Sequence, residues 1–307
     1  MRLKTSLNQF ICLCFCFGLL ALAAHGQADL TGVIDFHVHS APDSTPRSID
    51  AIDLAKLAKQ RGMRGLVLKN HYESTAALAY IVRKEVPGIE IFGGIDLNRS
   101  VGGLNTAAID RMVLMAGHYG KVIWFPTFDS ENQVRYSKEN RPFVSVAKDG
   151  HLLPEAVQVI QLAAKDKLTL ETGHSSAEEG LLIVHEAQRL GVPHVVVTHA
   201  MAAPVRMTIP QMQEAAKTGA YIEFVYNATL EPITSANYVV GMDDYVKAIH
   251  AVGPASCILA TDLGQVGHPL HPDGMAAFLA ALGKDGFSQA DLDLMSKTNP
   301  AHALGLE

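Results

Sequence analysis

The chain has 307 residues, 48% of them hydrophobic and 18% charged, with a formal net charge of −6. It holds no run of Lys or Arg, which excludes the electrostatic footprint of a nucleic-acid binder or of a protein held on anionic membranes. A disulfide scaffold is excluded as well, because three of the four cysteines (Cys12, Cys14, Cys16) lie near the start and Cys257 stands alone beyond them.

The first element in chain order is a leader. Arg2 and Lys4 precede an apolar stretch from Phe10 to Ala24, and small residues close it at Ala24 and Gly26. This is the layout of a secretory signal peptide cleaved before Gln27, and the apolar part is short for a transmembrane span. The expectation is a signal peptide over 1–26, one domain over 27–307, export to the periplasm or the medium, and no stable membrane anchor after cleavage. Cys257 lies in the apolar run SCILATD and reads as inert core.

Past the leader, eight β-rich runs alternate with helical patterns, and no Pro/Gly/Ser linker separates them. The runs are 33–39, 65–71, 89–96, 121–127, 168–174, 194–199, 220–227 and 257–262. Between them, SIDAIDLAKLAKQRG (48–62) has Ser48 to cap its start and Gly62 to end it. PEAVQVIQLAAKDK (154–167) and SAEEGLLIVHEAQRLG (176–191) repeat the amphipathic pattern. Strands alternating with helices imply a parallel sheet, and eight of them close a (β/α)₈ TIM barrel, with an open doubly wound sheet as the alternative.

Polar residues sit at corresponding places in these runs: His37 and His39, Lys69 and His71, Asp96, His174, His199 and Asp262 all fall at the C-terminal ends. In a barrel those ends surround one mouth. Period-2 alternation puts 35, 37 and 39 on one face, so the two imidazoles share a volume that is either a polar cavity or a metal site. The polar stretch 128–153 hangs over the same mouth; it reads as structureless, a lid or an idle insertion.

The set His37, His39, His174, His199 and Asp262 resembles the metal-dependent amidohydrolase superfamily, whose barrels carry His-x-His on the first strand, His on the fifth and sixth, and Asp on the eighth. The closing segment NPAHALGL (299–306) is similar to the helix start that often follows the final strand there. The resemblance implies those five residues as metal ligands, with Asp262 and His199 also catalytic. Neutral imidazoles and a carboxylate suit zinc, with manganese or iron as other candidates. Such a cation lowers the pKa of bound water to about 7. Asp262 would then move a proton, His199 would bind metal or polarise a carbonyl, and a small molecule would lose an amide- or ester-type bond.

The fourth run ends WFPTFD and lacks the Lys or Glu that bridges two ions in many such barrels, which favours one ion over two. Lys69 and His71 remain candidates for a missing bridge or ligand, and His71 also resembles the second-strand histidine of PHP-domain metal hydrolases. Asp35 reads as an orienting partner for a ligand histidine or as a residue bonded within the barrel. Arg47, Arg99 and Arg206 could meet an anionic substrate. By parity with His174, Glu171 should face the surrounding helices, and Glu223 lies within a core strand. Two other readings compete. TGHSSA (172–177) approximates a nucleophile elbow, with Ser175, Asp262 and His302 in the order of a serine esterase. A barrel that binds a metal or ligand without catalysis is the other. Substrate identity and oligomeric state are not readable from the chain.

Overall fold

The computed structural model describes residues 28–231 and 239–306. The proposed leader therefore lies outside the described residues. Among the described residues no helix is long and apolar enough to cross a membrane.

Eight parallel strands form one sheet in sequential order: β1 Ile34–His39, β2 Gly65–Lys69, β3 Glu90–Asp96, β4 Gly120–Trp124, β5 Thr169–Glu171, β6 His194–Val197, β7 Tyr221–Val225 and β8 Cys257–Ala260. The sheet closes just beyond β8, where Val38 bridges Leu263, the His39 N–H donates to the Leu263 carbonyl at 2.9 Å and the Asp262 N–H donates to the His37 carbonyl at 2.9 Å. All eight expected runs form strands; β1, β2 and β3 reach His39, Lys69 and Asp96, whereas β5, β6 and β8 stop before His174, His199 and Asp262, and the architecture is the (β/α)₈ barrel.

The interior has its own apolar cluster. Ile34, Phe36, Val67, Phe92, Val122, Trp124, Val196, Val225, Ile258 and Ala260 fill it, and Ala301, Ala303 and Leu304 close its floor. Those floor residues belong to or follow the short helix Asn299–Ala303, and the Thr169 hydroxyl in β5 donates to the Ala303 carbonyl at 2.6 Å. The remaining apolar residues of strands and helices form the larger outer core. Cys257 is buried there, its thiol pushed up by burial and donating to the Gly253 carbonyl at 3.2 Å, as an inert core residue would.

The first helix, Ala51–Gln60, is capped by Asp50 rather than Ser48. The Asp50 carboxylate accepts from the N–H groups of Ile52 (2.9 Å) and Asp53 (3.0 Å). Ser48 instead donates its N–H to the Gly264 carbonyl at 2.9 Å, which holds the chain extended until Asp50. Further on, Pro154–Asp166 and Ala177–Leu190 form as expected; the second starts at a capping box between Ser176 and Glu179. The 128–153 connection is not structureless. It carries the helix Glu131–Tyr136, capped by Ser130, and a two-stranded ribbon, Ala147–Lys148 with His151–Leu152. The ribbon turns at Asp149 and Gly150, both at positive φ, a pairing suited to a two-residue hairpin.

Candidate metal centre at the barrel mouth

The site begins with an irregularity in β1. Pairing with β2 shifts register between Asp35 and Val38. A strictly alternating strand would send Phe36 and His37 to opposite sides, yet Phe36 packs in the barrel interior and His37 meets interior groups as well. Asp35 is thereby separated from the two histidines. Its carboxylate accepts from Thr261 through N–H (2.9 Å) and Oγ1 (2.6 Å), and from the His37 N–H at 3.4 Å. It touches no imidazole ring among these bonds; it anchors the backbone just before Asp262.

Asp262 is where β1 and β8 meet. Its Oδ1 lies 3.2 Å from His37 Nε2 and 3.1 Å from His39 Nε2. Ligand atoms of these three residues all lie within 4.8 Å of one another. Bonds of 2.0–2.1 Å in a tetrahedral arrangement put neighbouring donor atoms about 3.3 Å apart, so this set has the spacing and chemistry to hold a divalent ion. Asp262 sits at φ 51°, a left-handed conformation uncommon for Asp, and His199 at φ 26°. Gly264, at φ 129°, lets the loop after β8 close on β1, since any side chain there would run into the His39 carbonyl.

His37 is held from behind. Its Nδ1 lies 3.2 and 3.3 Å from the two Glu223 carboxylate oxygens. Burial, then the Lys69 charge, lowers its pKa to about 3, so the ring is neutral. With Nδ1–H donated to Glu223, the Nε2 lone pair faces Asp262 and the Lys69 ammonium, 3.2 Å away. Glu223 also accepts the His199 N–H at 2.8 Å, so one carboxylate ties two strands' histidines together. Burial pushes Glu223 up to about 7, against the opposing effect of His199. A second convergent set, His37 with Glu171 and Glu223, lies deeper and is fully buried.

The remaining histidines face the same volume outside the tight triplet. The His174 ring is 4.8 Å from His199, and His199 is 6.0 Å from His37. The His174 Nδ1 meets Gln133 Oε1 at 2.8 Å, and the Ser130 hydroxyl and Asn132 amide donate to its carbonyl, so the 128–153 connection braces the site. Burial keeps His199 at about 4 and holds His39, His71 and His174 well below the usual imidazole range. His39 Nδ1 and His199 Nδ1 are buried with no hydrogen-bond partner among the described residues.

Lys69 ends β2 and His71 follows two residues on, but neither joins the convergent sets. The buried Lys69 ammonium lies 5.2 Å from the Trp124 ring centroid; burial raises Asp96, Glu171 and Glu223 above the usual carboxylate range, Glu171 well above it, and the Lys69 charge opposes this in part. His71 stacks on His39 at 4.7 Å and turns Nδ1 to Thr127 Oγ1 (2.8 Å) and Asp96 Oδ2 (3.2 Å). Burial pushes Asp96 up to about 7.

Glu171 corrects the parity argument: it is fully buried against interior groups, accepting from Thr198 Oγ1 at 2.9 Å, and does not face the helices. The strand stops at Glu171, and Gly173 at φ 62° turns the chain, so alternation does not run on to His174. Glu223, read from the sequence only as a residue within a core strand, also joins the site. An acid between Ile222 and Phe224 in a buried strand was the signal available, since both neighbours point to the outer core. Asn227 and His268 were missed without such a signal: Asn227 Nδ2 donates to Asp262 Oδ2 at 3.5 Å, and His268 Nδ1 meets Asn227 Oδ1 at 2.9 Å.

The arginines divide. The Arg47 side chain is buried and bound to Asp43 through Nε (2.8 Å) and Nη2 (2.7 Å). Arg99 and Arg206 are exposed, and the Arg99 N–H donates to Asp129 at 2.9 Å. The serine-esterase triad does not assemble. His302 lies at the other end of the barrel, bonded to Tyr221 at the start of β7 (2.8 Å) and 5.5 Å from His194 at the start of β6. Helix capping falls to Ser176, and the closed barrel excludes the doubly wound sheet that reading needs.

The structure is a closed (β/α)₈ barrel with imidazoles and carboxylates gathered at its C-terminal mouth. By sequence the chain belongs to the Family of unknown function (DUF6282), whose profile matches residues 32–223. That span includes every site residue described from His37 to Glu223 and stops before Asp262. No curated protein matches the chain in sequence. Among solved structures it is similar to the organophosphorus hydrolase from Deinococcus radiodurans, at 15% identity and a TM-score of 0.62 over 90% of this chain and 93% of that one. An amidohydrolase from Pseudomonas aeruginosa aligns at 12% identity and TM-score 0.58 over 89% and 95% of the two chains. The 2,6-dihydroxybenzoate decarboxylase from Rhizobium aligns at 11% and 0.55 over 90% and 99%. At these identities the likeness is one of fold.

Proposed function

We propose that this protein is a metal-dependent hydrolase that cleaves an amide- or ester-type bond of a small molecule. The observation that carries the reading is the convergence of His37 Nε2 and His39 Nε2 on Asp262 Oδ1 at 3.2 and 3.1 Å, with His37 oriented from behind by Glu223. One divalent ion, most readily zinc, suits His37, His39 and Asp262, with His174 and His199 as the further ligands facing it. When bound, the ion supplies a lowered pKa for water and charge stabilisation for a carbonyl oxygen.

The chain's own residues do the rest. Asp262 accepts a proton at its carboxylate and returns it to the leaving group, and Asn227 restrains Oδ2 while it does so. His199 stays neutral and directs Nε2 or Nδ1 toward the substrate carbonyl. Glu223 holds His37 in one tautomer. The buried Lys69 charge opposes the burial that raises Glu171 and Glu223 beneath the site. The leader read at 1–26 implies that this chemistry takes place outside the cytoplasm.

The test is a panel of neutral amides, esters and lactones assayed with metal-loaded protein, before and after chelation, alongside His37→Ala and Ser175→Ala. The reading expects turnover that chelation and His37→Ala abolish and Ser175→Ala leaves in place. Tight metal binding without turnover on any member would support the binding-only barrel instead, and release of carbon dioxide from a carboxylated substrate would make the reaction a decarboxylation.

A further inference from the structure

Two arginines at the rim of the mouth are already paired. Arg47, its side chain 5% exposed, is bound through two nitrogens to Asp43. Arg141 is bound to Asp129 and to Glu139. Arg99 is exposed, and its backbone N–H is what meets Asp129. An anion approaching Arg47 or Arg141 would have to displace a carboxylate that is already in place.

The apolar side of the rim is open. The Phe128 ring lies 4.0 Å from the His71 ring and meets His174 edge-on at 5.7 Å, yet 39% of the residue is exposed. Its backbone is fixed on both sides: Arg141 Nη2 donates to the Phe128 carbonyl at 2.5 Å, and the Asp129 N–H donates to Asn98 Oδ1 at 3.0 Å. Tyr72 flanks the same His71 ring edge-on at 6.2 Å. A clamped, half-exposed phenyl beside polar groups that converge on one volume is the arrangement of a ligand-binding wall.

We infer that the mouth takes a neutral substrate bearing a flat apolar group, which packs on Phe128 beside Tyr72 while its polar group faces His37, His39 and Asp262. The orientation of the polar group rests on the hydrolase reading; the packing on Phe128 does not. The experiment is a ligand-observed NMR titration of the full chain with benzamide, acetamide and 4-carbamoylbenzoate, repeated on Phe128→Ala and Phe128→Leu.

The parent should bind benzamide at least about fivefold more tightly than acetamide, and 4-carbamoylbenzoate more weakly than benzamide. Phe128→Ala should erase the preference, and Phe128→Leu, which keeps the bulk against His71, should retain part of it. Equal binding of benzamide and acetamide by the parent would overturn the inference, as would a preference that survives Phe128→Ala or tighter binding of the carboxylated probe. Because binding is read without turnover, those results leave the hydrolase reading standing, whereas activity indifferent to chelation would overturn that reading and leave the apolar wall.

Discussion

Glu223 holds His37 through Nδ1 at 3.2 and 3.3 Å across 186 positions of chain. The pair joins the first and seventh strands inside the barrel and leaves the opposite ring nitrogen of His37 facing Asp262. A carboxylate behind a ligand histidine fixes its tautomer and raises its basicity. Glu223→Gln should therefore weaken metal binding by about 10- to 100-fold without unfolding the protein. Competition against a chromogenic chelator, with circular dichroism as the control, reads both quantities. Unchanged affinity would mean that His37 is not a ligand or that Glu223 does not orient it.

Asp262 carries the proton in the proposed reaction. Asp262→Asn keeps the shape and removes the base, so kcat should fall by about 10²- to 10⁴-fold on any substrate the parent turns over. Asn227→Ala, which frees Oδ2, should lower kcat by a smaller factor. Steady-state kinetics at saturating metal separates the proton role from metal loss.

The Lys69 ammonium makes no ion pair within 4.0 Å among the described residues, although its charge reaches Glu171 and Glu223. Lys69→Ala should leave one ion per chain, because Lys69 lies outside the convergent sets. It should also destabilise the fold, because the buried acids Glu171 and Glu223 lose a charge that opposes the effect of their burial. A metal-to-protein ratio falling from two to one in the variant would instead make Lys69 the bridge between two ions.

His271 gives the pH dependence a clean sign. Its Nε2 lies 2.7 Å from the Leu263 carbonyl, beside the seam that closes the barrel, and burial lowers its pKa to about 4. Between about 4 and the ordinary value near 6.5, the unfolded chain binds more protons at this site than the folded one, so stability rises with pH. That contribution is fully present above 6.5 and is lost as pH falls toward 4. Relative to His271→Gln, the parent should lose up to about 3 kcal/mol between pH 7 and pH 4 in urea unfolding. The comparison with the variant matters because Asp35 and Asp96, raised to about 7 by burial, act with the opposite sign over much of the same range.

How far the sequence could be read follows from the length scale of each signal. All eight strands were visible because the apolar runs and the helices between them are local patterns, and the polar tips fell at one mouth because a parallel barrel aligns every strand's end. The meeting of His37 and His39 with Asp262 was legible for the same reason. What failed were arguments that carry alternation past the end of a strand or through a bulge. Counting from His174 puts Glu171 outward, but Gly173 turns the chain between them; strict alternation puts Asp35 in phase with His37, but the register shift of β1 separates them. The helix start moved from Ser48 to Asp50 because a long-range bond to Gly264 decides it, and such bonds leave no local trace. The Gln133 contact to His174 lay hidden likewise, since nothing in the 128–153 stretch announces which of its polar residues folds back onto β5.

The central claim is that His37, His39 and Asp262 share one ion, and the most direct measurement is the metal content of the purified protein by mass spectrometry, taken for the parent and for His37→Ala, His39→Ala and Asp262→Ala. The account predicts close to one equivalent of a divalent transition metal in the parent and a small fraction of that in each variant, with folding retained. A folded parent that stays metal-free after incubation with zinc, manganese and iron, or variants that keep a full equivalent, would contradict it.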